Sequence, residues 1–163
     1  MKTKTLHLAF RKEYPNITNT LITDVNVFDF ENKRKHHFKA VWDTGATHSV
    51  ITKEVVTKLN LKPTGVITVY GVNNKKNCCT YLINLGLPNG LMIPDFNVAE
   101  VEAVGADSNL IIGMDIICAG DLSISNYEKT VFCYSFPAHR KHLDLVERAN
   151  KINSWKKGSG LEL

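Results

Sequence analysis

The sequence has no long uninterrupted apolar segment. Its longest apolar stretch, residues 110–119, is broken by Gly113 and Asp115, whereas a membrane-spanning helix needs about 20 apolar residues in succession. The first ten residues include basic side chains but no apolar core behind them, unlike a secretory signal. We therefore expect no membrane partner, and the sequence predicts a cytoplasmic protein.

Cysteine is also scarce, and basic residues are only slightly in excess of acidic ones. The four cysteines have no Cys-x-x-Cys spacing, and the adjacent pair Cys78-Cys79 would point to opposite faces of a strand, so we expect reduced thiols. The net charge of +4 does not by itself indicate a nucleic-acid partner. With 44% hydrophobic and 22% charged residues, the 163-residue chain has the composition of one globular domain, or of one domain with an added helix.

Patterns for metal binding and for a catalytic triad are missing as well. His36 and His37 have no other ligand at a suitable spacing, and alternation along a strand would separate their rings. His48 lies close to Asp43 in the sequence, but no Ser or Cys lies in a nucleophile turn, so a catalytic triad is not expected. We expect no metal and no cofactor. The basic run 33–39 is interpreted as a solvated hairpin tip; a nucleic-acid patch is the sharper alternative, which no aromatic set supports.

The residues that are present predict a mainly β fold. Alternating apolar and polar residues, separated by turns rich in Asn, Pro and Gly, are typical of successive strands. Two short helices are predicted at 53–59, with Thr52 as N-cap, and at 115–119. The predicted strands are 3–10, 19–29, 36–42, 65–72, 76–87, 91–103, 109–112, 121–125 and 130–136.

The segment 139–156 has a different, helical pattern. Apolar residues recur every three to four positions between Lys and Arg, which predicts an amphipathic helix. We favour a helix packed on its own sheet; a helix that adds to a dimer contact and a helix on a membrane surface are the alternatives. The predicted organisation is a main domain over 1–137, a C-terminal amphipathic helix over 138–157 and a tail over 158–163. The apolar positions are Leu143, Val146, Ala149, Ile152 and Trp155.

Two apolar segments each end in a small-residue turn. The first, 40–51, reaches an acid at Asp43 and continues with small residues, where Gly45 allows unusual backbone angles and close approach. The second, 109–117, ends its apolar run at Gly113 and turns towards a short helix. A carboxylate on a tight turn behind a buried strand is held rigidly.

Together these segments resemble the motifs of retropepsin-like aspartic proteases. Asp43-Thr44-Gly45-Ala46 follows an apolar pair, and Leu110-Ile111-Ile112-Gly113 follows later in the expected order. The resemblance covers roughly residues 19–137. It implies a closed β-barrel of the acid protease fold, with one lobe per chain and short helices, to which this chain adds its C-terminal helix.

The resemblance also implies a homodimer. Hydrolysis of a peptide bond without a metal requires a base for the water and an acid for the departing nitrogen. Two adjacent carboxyls sharing one proton perform both roles, as aspartic proteases do. Because this chain has only one Asp-Thr-Gly motif, the second carboxyl must be the same residue, Asp43, of an identical partner.

The resemblance assigns supporting roles to the residues around Asp43. Thr44 is expected to reach across the dimer axis, Gly45 to offer its backbone N–H to the carboxylates, and Ala46 to keep the site small. Ile112 and Gly113 are expected to support this loop from the second segment.

A β-hairpin over about 66–81 is predicted to be the flap that covers the substrate. Its substrate and flap residues are predicted to be Tyr70, Gly71, Val72 and Asn73, of which Tyr70 and Val72 are predicted to face the peptide. An ordinary surface hairpin is the alternative, because the tip is more polar than the glycine-rich flaps of retroviral enzymes.

The sequence departs from the retroviral pattern at two linked positions. Retroviral enzymes usually have an acid after Asp-Thr-Gly-Ala and an arginine after Ile-Gly, and the two form a salt bridge. Here those positions are Thr47 and Met114, so no charge is left unpaired. Asp115, after Met114, makes the chain more similar to cellular and bacterial members.

The predicted function is therefore that of an aspartic endopeptidase. As a homodimer it would take an extended peptide or protein substrate, with apolar side chains flanking the cleaved bond. A catalytically weak or inactive dimeric binding or scaffold module on the same fold is the alternative, since a fold does not fix a function.

Overall fold

The computed structural model describes residues 6–28, 34–70, 75–105, 107–139, 141–142 and 144–158. Within these ranges the chain forms ten strands and three helices. The strands are β1 (Leu8–Glu13), β2 (Ile22–Phe28), β3 (Lys35–Trp42), β4 (Val50–Thr52), β5 (Gly65–Tyr70), β6 (Lys75–Gly86), β7 (Met92–Val101), β8 (Leu110–Ile112), β9 (Asp121–Ser125) and β10 (Val131–Phe136), and the helices are α1 (Lys53–Lys58), α2 (Met114–Ile117) and α3 (Leu145–Gly158).

Six strands close into a barrel. Their order is β2-β3-β8-β4-β7-β6, and β6 pairs again with β2 through the register Asn26↔Gly86 to Phe28↔Asn84. Strand β5 is added at the outer side of β6. Short helices α1 and α2 follow β4 and β8. The prediction of a mainly β, closed barrel of the retropepsin-like kind is confirmed.

The barrel core follows from alternation along the strands. In β2, Thr23, Val25 and Val27 are buried while Asp24 between them is exposed. In β3 the buried positions include Phe38 and Trp42, again at every second residue. Because successive side chains of a strand point to opposite faces, one face of each strand supplies the core.

A second sheet, β1-β10-β9, packs against the barrel through aromatic rings. Trp42 at the end of β3 lies 5.2 Å from Phe132 and 4.8 Å from Tyr134, measured between ring centroids. Phe10 lies 5.5 Å from Phe132. The Trp42 indole N–H donates a buried hydrogen bond of 2.8 Å to the Thr23 hydroxyl. Trp42 is therefore a core residue that joins the two sheets.

Some predicted boundaries were wrong. The first strand was predicted over 3–10 but is found over Leu8–Glu13, because its antiparallel register with β10 runs from Leu8↔Phe136 to Glu13↔Val131. Thr52 lies at the N-cap of α1, but its side chain makes no capping hydrogen bond. The second helix begins one residue earlier than predicted, at Met114, and ends at Ile117.

The C-terminal helix is present, but it is not packed as expected. Side chains of α3 from residue 145 to 154 are exposed, with Leu145 65%, Val146 70% and Ile152 53% exposed. The interpretation of a helix packed on its own sheet is therefore wrong for these side chains. Leu143 and the side chain of Trp155 lie outside the described residues, and the division of the chain near residue 137 stays a prediction.

Two further expectations concerned reduced thiols and membrane-spanning helices. Cys78, Cys79, Cys118 and Cys133 are all free. No helix in the described part of the chain has the length and apolar character needed to cross a membrane.

Candidate active site

Asp43 lies where β3 leaves the barrel. Strand β3 runs parallel to β8, with Trp42 opposite Ile112. The Asp43 N–H then donates to the Ile112 carbonyl at 3.0 Å, so the acid is fixed to the end of the neighbouring strand. Asp43 itself is half-buried. The parallel pairing thus brings the two segments with small-residue turns together.

The loop after Asp43 folds back on the carboxylate. The Gly45 N–H donates a hydrogen bond of 2.8 Å to Asp43 Oδ1, and the Ala46 N–H donates to the Asp43 carbonyl at 3.2 Å. A Cβ at Gly45 would lie 3.2 Å from Oδ1, which leaves little room for a side chain. Thr44 and Gly45 are exposed. The loop therefore holds the carboxylate from one side and exposes the residues beside it.

Gly113 allows the second loop to lie directly against the first. A Cβ there would meet the His48 carbonyl carbon at 2.7 Å and the Ala46 oxygen at 2.8 Å, both backbone atoms that cannot easily move. The next residue, Met114, donates its N–H to the Ala46 carbonyl at 2.8 Å. Glycine is required here by close approach of two backbones. The structure thus places Ile112 and Gly113 against the Asp43 loop.

Ser49 and Asp115 add a polar contact that the sequence analysis did not assign to the site. Asp115 accepts hydrogen bonds from the Ser49 N–H at 2.8 Å and from the Ser49 hydroxyl at 2.6 Å. The Ser49 hydroxyl in turn accepts the Gly113 N–H at 3.0 Å. The available sequence signal was a hydroxyl residue shortly after the acid loop and an acid two positions after Gly113.

Tyr134 holds helix α2 in place through a side-chain hydrogen bond. The phenol donates a buried hydrogen bond of 2.8 Å to the Ile116 carbonyl. Burial raises the pKa of Tyr134 to about 12, so the phenol stays a neutral donor near neutral pH. The core residue Tyr134 therefore fixes the helix that carries Asp115.

The predicted flap is described only in part. Strands β5 and β6 pair from Gly65↔Thr80 to Tyr70↔Lys75, which confirms the arms of a hairpin. The flap residues Gly71, Val72 and Asn73, and the side chain of Tyr70, lie outside the described part of the structure. Their contact with substrate stays a prediction.

A small apolar cluster, separate from the main core, adjoins both loops and the hairpin. Val50 follows the acid loop, and Ile111 comes two residues before Gly113. Ile67 and Val69 of β5 pack against the same cluster. We call it the apolar wall; its members are Val50, Cys78, Ala99, Ile67, Val69, Val101 and Ile111.

The charged pair of retroviral enzymes has no counterpart at its usual positions. Thr47 is exposed and Met114 is half-buried. Among the described residues, no group of three His, Cys, Asp or Glu side chains is arranged to hold a metal ion. What the site offers chemically is one positioned carboxyl beside an exposed Thr-Gly step.

Known proteins share both the motifs and the fold. A family model described as "Aspartyl protease" matches residues 24–116, more than half of the chain. A retropepsin-like aspartic protease from Rickettsia conorii has a similar structure, with a TM-score of 0.52 and 14% identity over 82% of this chain and 96% of that one. EIAV protease in complex with the inhibitor HBY-793 gives a TM-score of 0.50 and 19% identity, over 64% of this chain and 91% of that one.

A comparison with curated protein sequences finds no significant match. At these identities the two structures establish a shared fold, and the family assignment rests on the match over residues 24–116. That match includes both the acid loop and the Gly113 loop. The chain therefore belongs to the aspartyl protease family and has the retropepsin-like fold.

Proposed function

We propose that the protein is an aspartic endopeptidase that acts as a homodimer, with Asp43 of each chain as the catalytic residue. The observation that carries the proposal is the hydrogen-bonded Asp43 loop, fixed to Ile112 and oriented by the Gly45 N–H. The exposed Thr44-Gly45 step beside it gives a second copy access to the carboxyl. A two-fold dimer would place two such loops face to face.

The chemistry follows from two carboxyls at close range. Because both cannot easily ionise, one remains protonated and the other is a carboxylate, and the pair titrates as a unit. The carboxylate takes a proton from a water, whose oxygen attacks the carbonyl carbon of the peptide. The protonated carboxyl hydrogen-bonds to the carbonyl oxygen, and a proton is then delivered to the nitrogen as the C–N bond breaks.

The substrate is proposed to be an extended peptide or protein segment. An extended chain is recognised by strand-like hydrogen bonds together with pockets for alternate side chains. The half-buried members of the apolar wall, such as Ile67 and Ile111, favour apolar side chains near the cleaved bond. Tyr70, Gly71, Val72 and Asn73 are proposed to cover the peptide as a flap. The reaction is proposed to need no cofactor and no metal. The proposed location is the cytoplasm.

Replacement of the acid tests the proposal. Asp43→Asn should lose roughly 10²–10⁴-fold or more in casein or peptide cleavage, since it removes the acid–base group. The circular dichroism spectrum and the molecular mass of the variant in solution should be the same as those of the wild type. Asp24→Asn is the matched control, because Asp24 is an exposed carboxylate of β2. Assays would run at several pH values on the acid side of neutrality, with and without pepstatin. Full cleavage by pure Asp43→Asn protein would contradict the proposal.

A dimeric binding or scaffold module is the second candidate. The observation that favours it is the exposed polar segment Lys75, Lys76 and Asn77, next to the predicted flap tip. Such a flap would close less readily over an apolar peptide. A wild-type protein that is dimeric but cleaves nothing across the tested pH values would favour this module over the protease.

A further inference from the structure

The acid and arginine that form a salt bridge in retroviral enzymes are replaced here by Thr47 and Met114. The loops nevertheless lie in direct backbone contact around Gly113. We propose that Asp115 and Ser49 form a positioning pair that fixes the Asp43 loop for catalysis. This inference rests on the proposed function for its catalytic consequence, although the contact itself is testable without activity.

Asp115 is held as a hydrogen-bond acceptor on three sides. It accepts from the Ser49 N–H, the Ser49 hydroxyl and the Ile116 N–H, at 2.8, 2.6 and 3.0 Å. Its side chain is 21% exposed, and Ser49 is 2% exposed. Hydrogen bonds to an ionised acceptor are shorter and stronger than neutral ones. The carboxylate therefore fixes both the backbone and the hydroxyl of Ser49.

The Ser49 hydroxyl passes this constraint to Gly113. A hydroxyl has one proton, which Ser49 directs to Asp115, so its oxygen lone pairs remain free to accept the Gly113 N–H. Without the carboxylate, the hydroxyl proton is free to rotate, and the geometry of the bond to Gly113 is no longer enforced. Asp115 thus acts on the second loop through Ser49.

Gly113 and its neighbours complete the connection to the catalytic acid. Met114 donates to the Ala46 carbonyl at 2.8 Å, and Ile112 accepts the Asp43 N–H at 3.0 Å. Both bonds flank Gly113, so a shift of this residue moves the two points that hold the Asp43 loop. In an enzyme, a misplacement of about 1 Å can cost roughly 10²-fold in rate.

His48 is the other side chain near Asp115. Its Nδ1 lies 4.0 Å from Asp115 Oδ2, and its side chain is 69% exposed. This distance exceeds that of a hydrogen bond. Ser49, and not His48, is therefore the partner through which Asp115 acts.

A double-mutant cycle tests the pair. Asp115→Asn preserves size but replaces one acceptor oxygen with a donor, and Ser49→Ala removes the hydroxyl. Each should lower kcat by about 10–100-fold with KM within a few-fold, since the apolar wall is untouched. The double variant should lose about as much as the worse single variant, because both break the same connection.

Thr130→Val is the matched control. It also removes a buried hydroxyl that donates to a side-chain oxygen, Asn126 Oδ1 at 2.8 Å, and accepts a backbone N–H, that of Thr18 at 2.9 Å. If the effect of the pair were only general stability, this control would lower kcat as Asp115→Asn does. A similar kcat loss in both, or an unchanged kcat in Asp115→Asn, would overturn the proposal.

Hydrogen exchange gives a readout that needs no activity. At a temperature where circular dichroism shows every variant folded, the Gly113 amide should exchange at least several-fold faster in Asp115→Asn and Ser49→Ala than in wild type. In Thr130→Val it should exchange at the wild-type rate. Equal Gly113 exchange in wild type and Asp115→Asn would overturn the positioning pair. An inactive wild type with the predicted exchange pattern would instead count against the protease function alone.

Discussion

At the scale of single residues, the site is held mainly by backbone groups. The Asp43 carboxylate receives the Gly45 N–H, and the Asp43 N–H reaches the Ile112 carbonyl. The bulk of a side chain matters most at Gly113, where two loops touch through their backbones. Because backbone cannot yield as a flexible side chain does, this position tolerates only hydrogen in place of a Cβ.

Gly113→Ala is therefore expected to disturb the site strongly. Its Cβ would lie 2.7 Å from the His48 carbonyl carbon, so the loops must separate. We expect a destabilisation of about 1–3 kcal/mol from overpacking, with loss of most cleavage activity. Urea unfolding and peptide cleavage measure the two effects. Gly105→Ala is the control, because a Cβ there meets nothing within 4 Å; equal effects in both variants would contradict the argument.

At the scale of elements, the second sheet supports the strand that delivers Asp43. Phe132 of β10 is fully buried and contacts Trp42, the residue immediately before the acid. Tyr134 of the same strand also bonds to the Ile116 carbonyl in α2. Strand β10 therefore contacts both the strand that ends at Asp43 and the helix that follows Gly113.

Phe132→Ala should destabilise the fold by about 3–5 kcal/mol, because it leaves a cavity between the sheets. The free energy of unfolding in urea gives the value. Tyr127→Ala removes an aromatic ring that is 83% exposed, so it should change stability by no more than about 0.5 kcal/mol. Equal losses in the two variants would show that β10 does not join the sheets.

Helix α3 is expected to contribute little to the stability of the barrel. The side chains of residues 145–154 are exposed, so removing residues 143–163 should change the free energy of unfolding by less than about 0.5 kcal/mol. Urea unfolding at low protein concentration is the measurement. A loss of several kcal/mol would mean that the helix packs on the barrel. A concentration-dependent loss would assign it to the dimer contact.

At the scale of the whole molecule, each chain carries one acid motif. The proposed active centre therefore exists only in an assembly with two-fold symmetry. Activity should then depend on protein concentration more steeply than in a monomeric enzyme, and it should fall on dilution as dimers dissociate.

Mixing wild type with Asp43→Asn protein tests this arrangement directly. With equal amounts and free exchange of subunits, about one quarter of the dimers contain two intact acids. Activity per wild-type chain should therefore fall to about half when one intact acid per dimer is insufficient. Mixing with Asp24→Asn should leave activity per chain unchanged. Unaltered activity after proven exchange with Asp43→Asn would mean that one chain suffices.

Much of the fold was predictable because it follows from local alternation. The alternation of residue types along β2 and β3 predicts strands directly, and every second position is indeed buried. The resemblance to retropepsin-like motifs, and not residue size alone, predicted that Gly113 supports the Asp43 loop. The ends of elements were less predictable. The first strand is set by its register with β10, which lies at the other end of the chain. The helical period of α3 predicts a helix but not what it packs against.

The sequence by itself determined the strands and the small-residue turns at Asp43 and Gly113, because alternation and residue size act over a few neighbouring positions. Only the tertiary structure decided that Asp115 and Ser49 meet behind Gly113, and that Trp42 joins two sheets. These contacts link residues far apart in the chain. Their geometry depends on how the barrel closes, which local patterns do not specify.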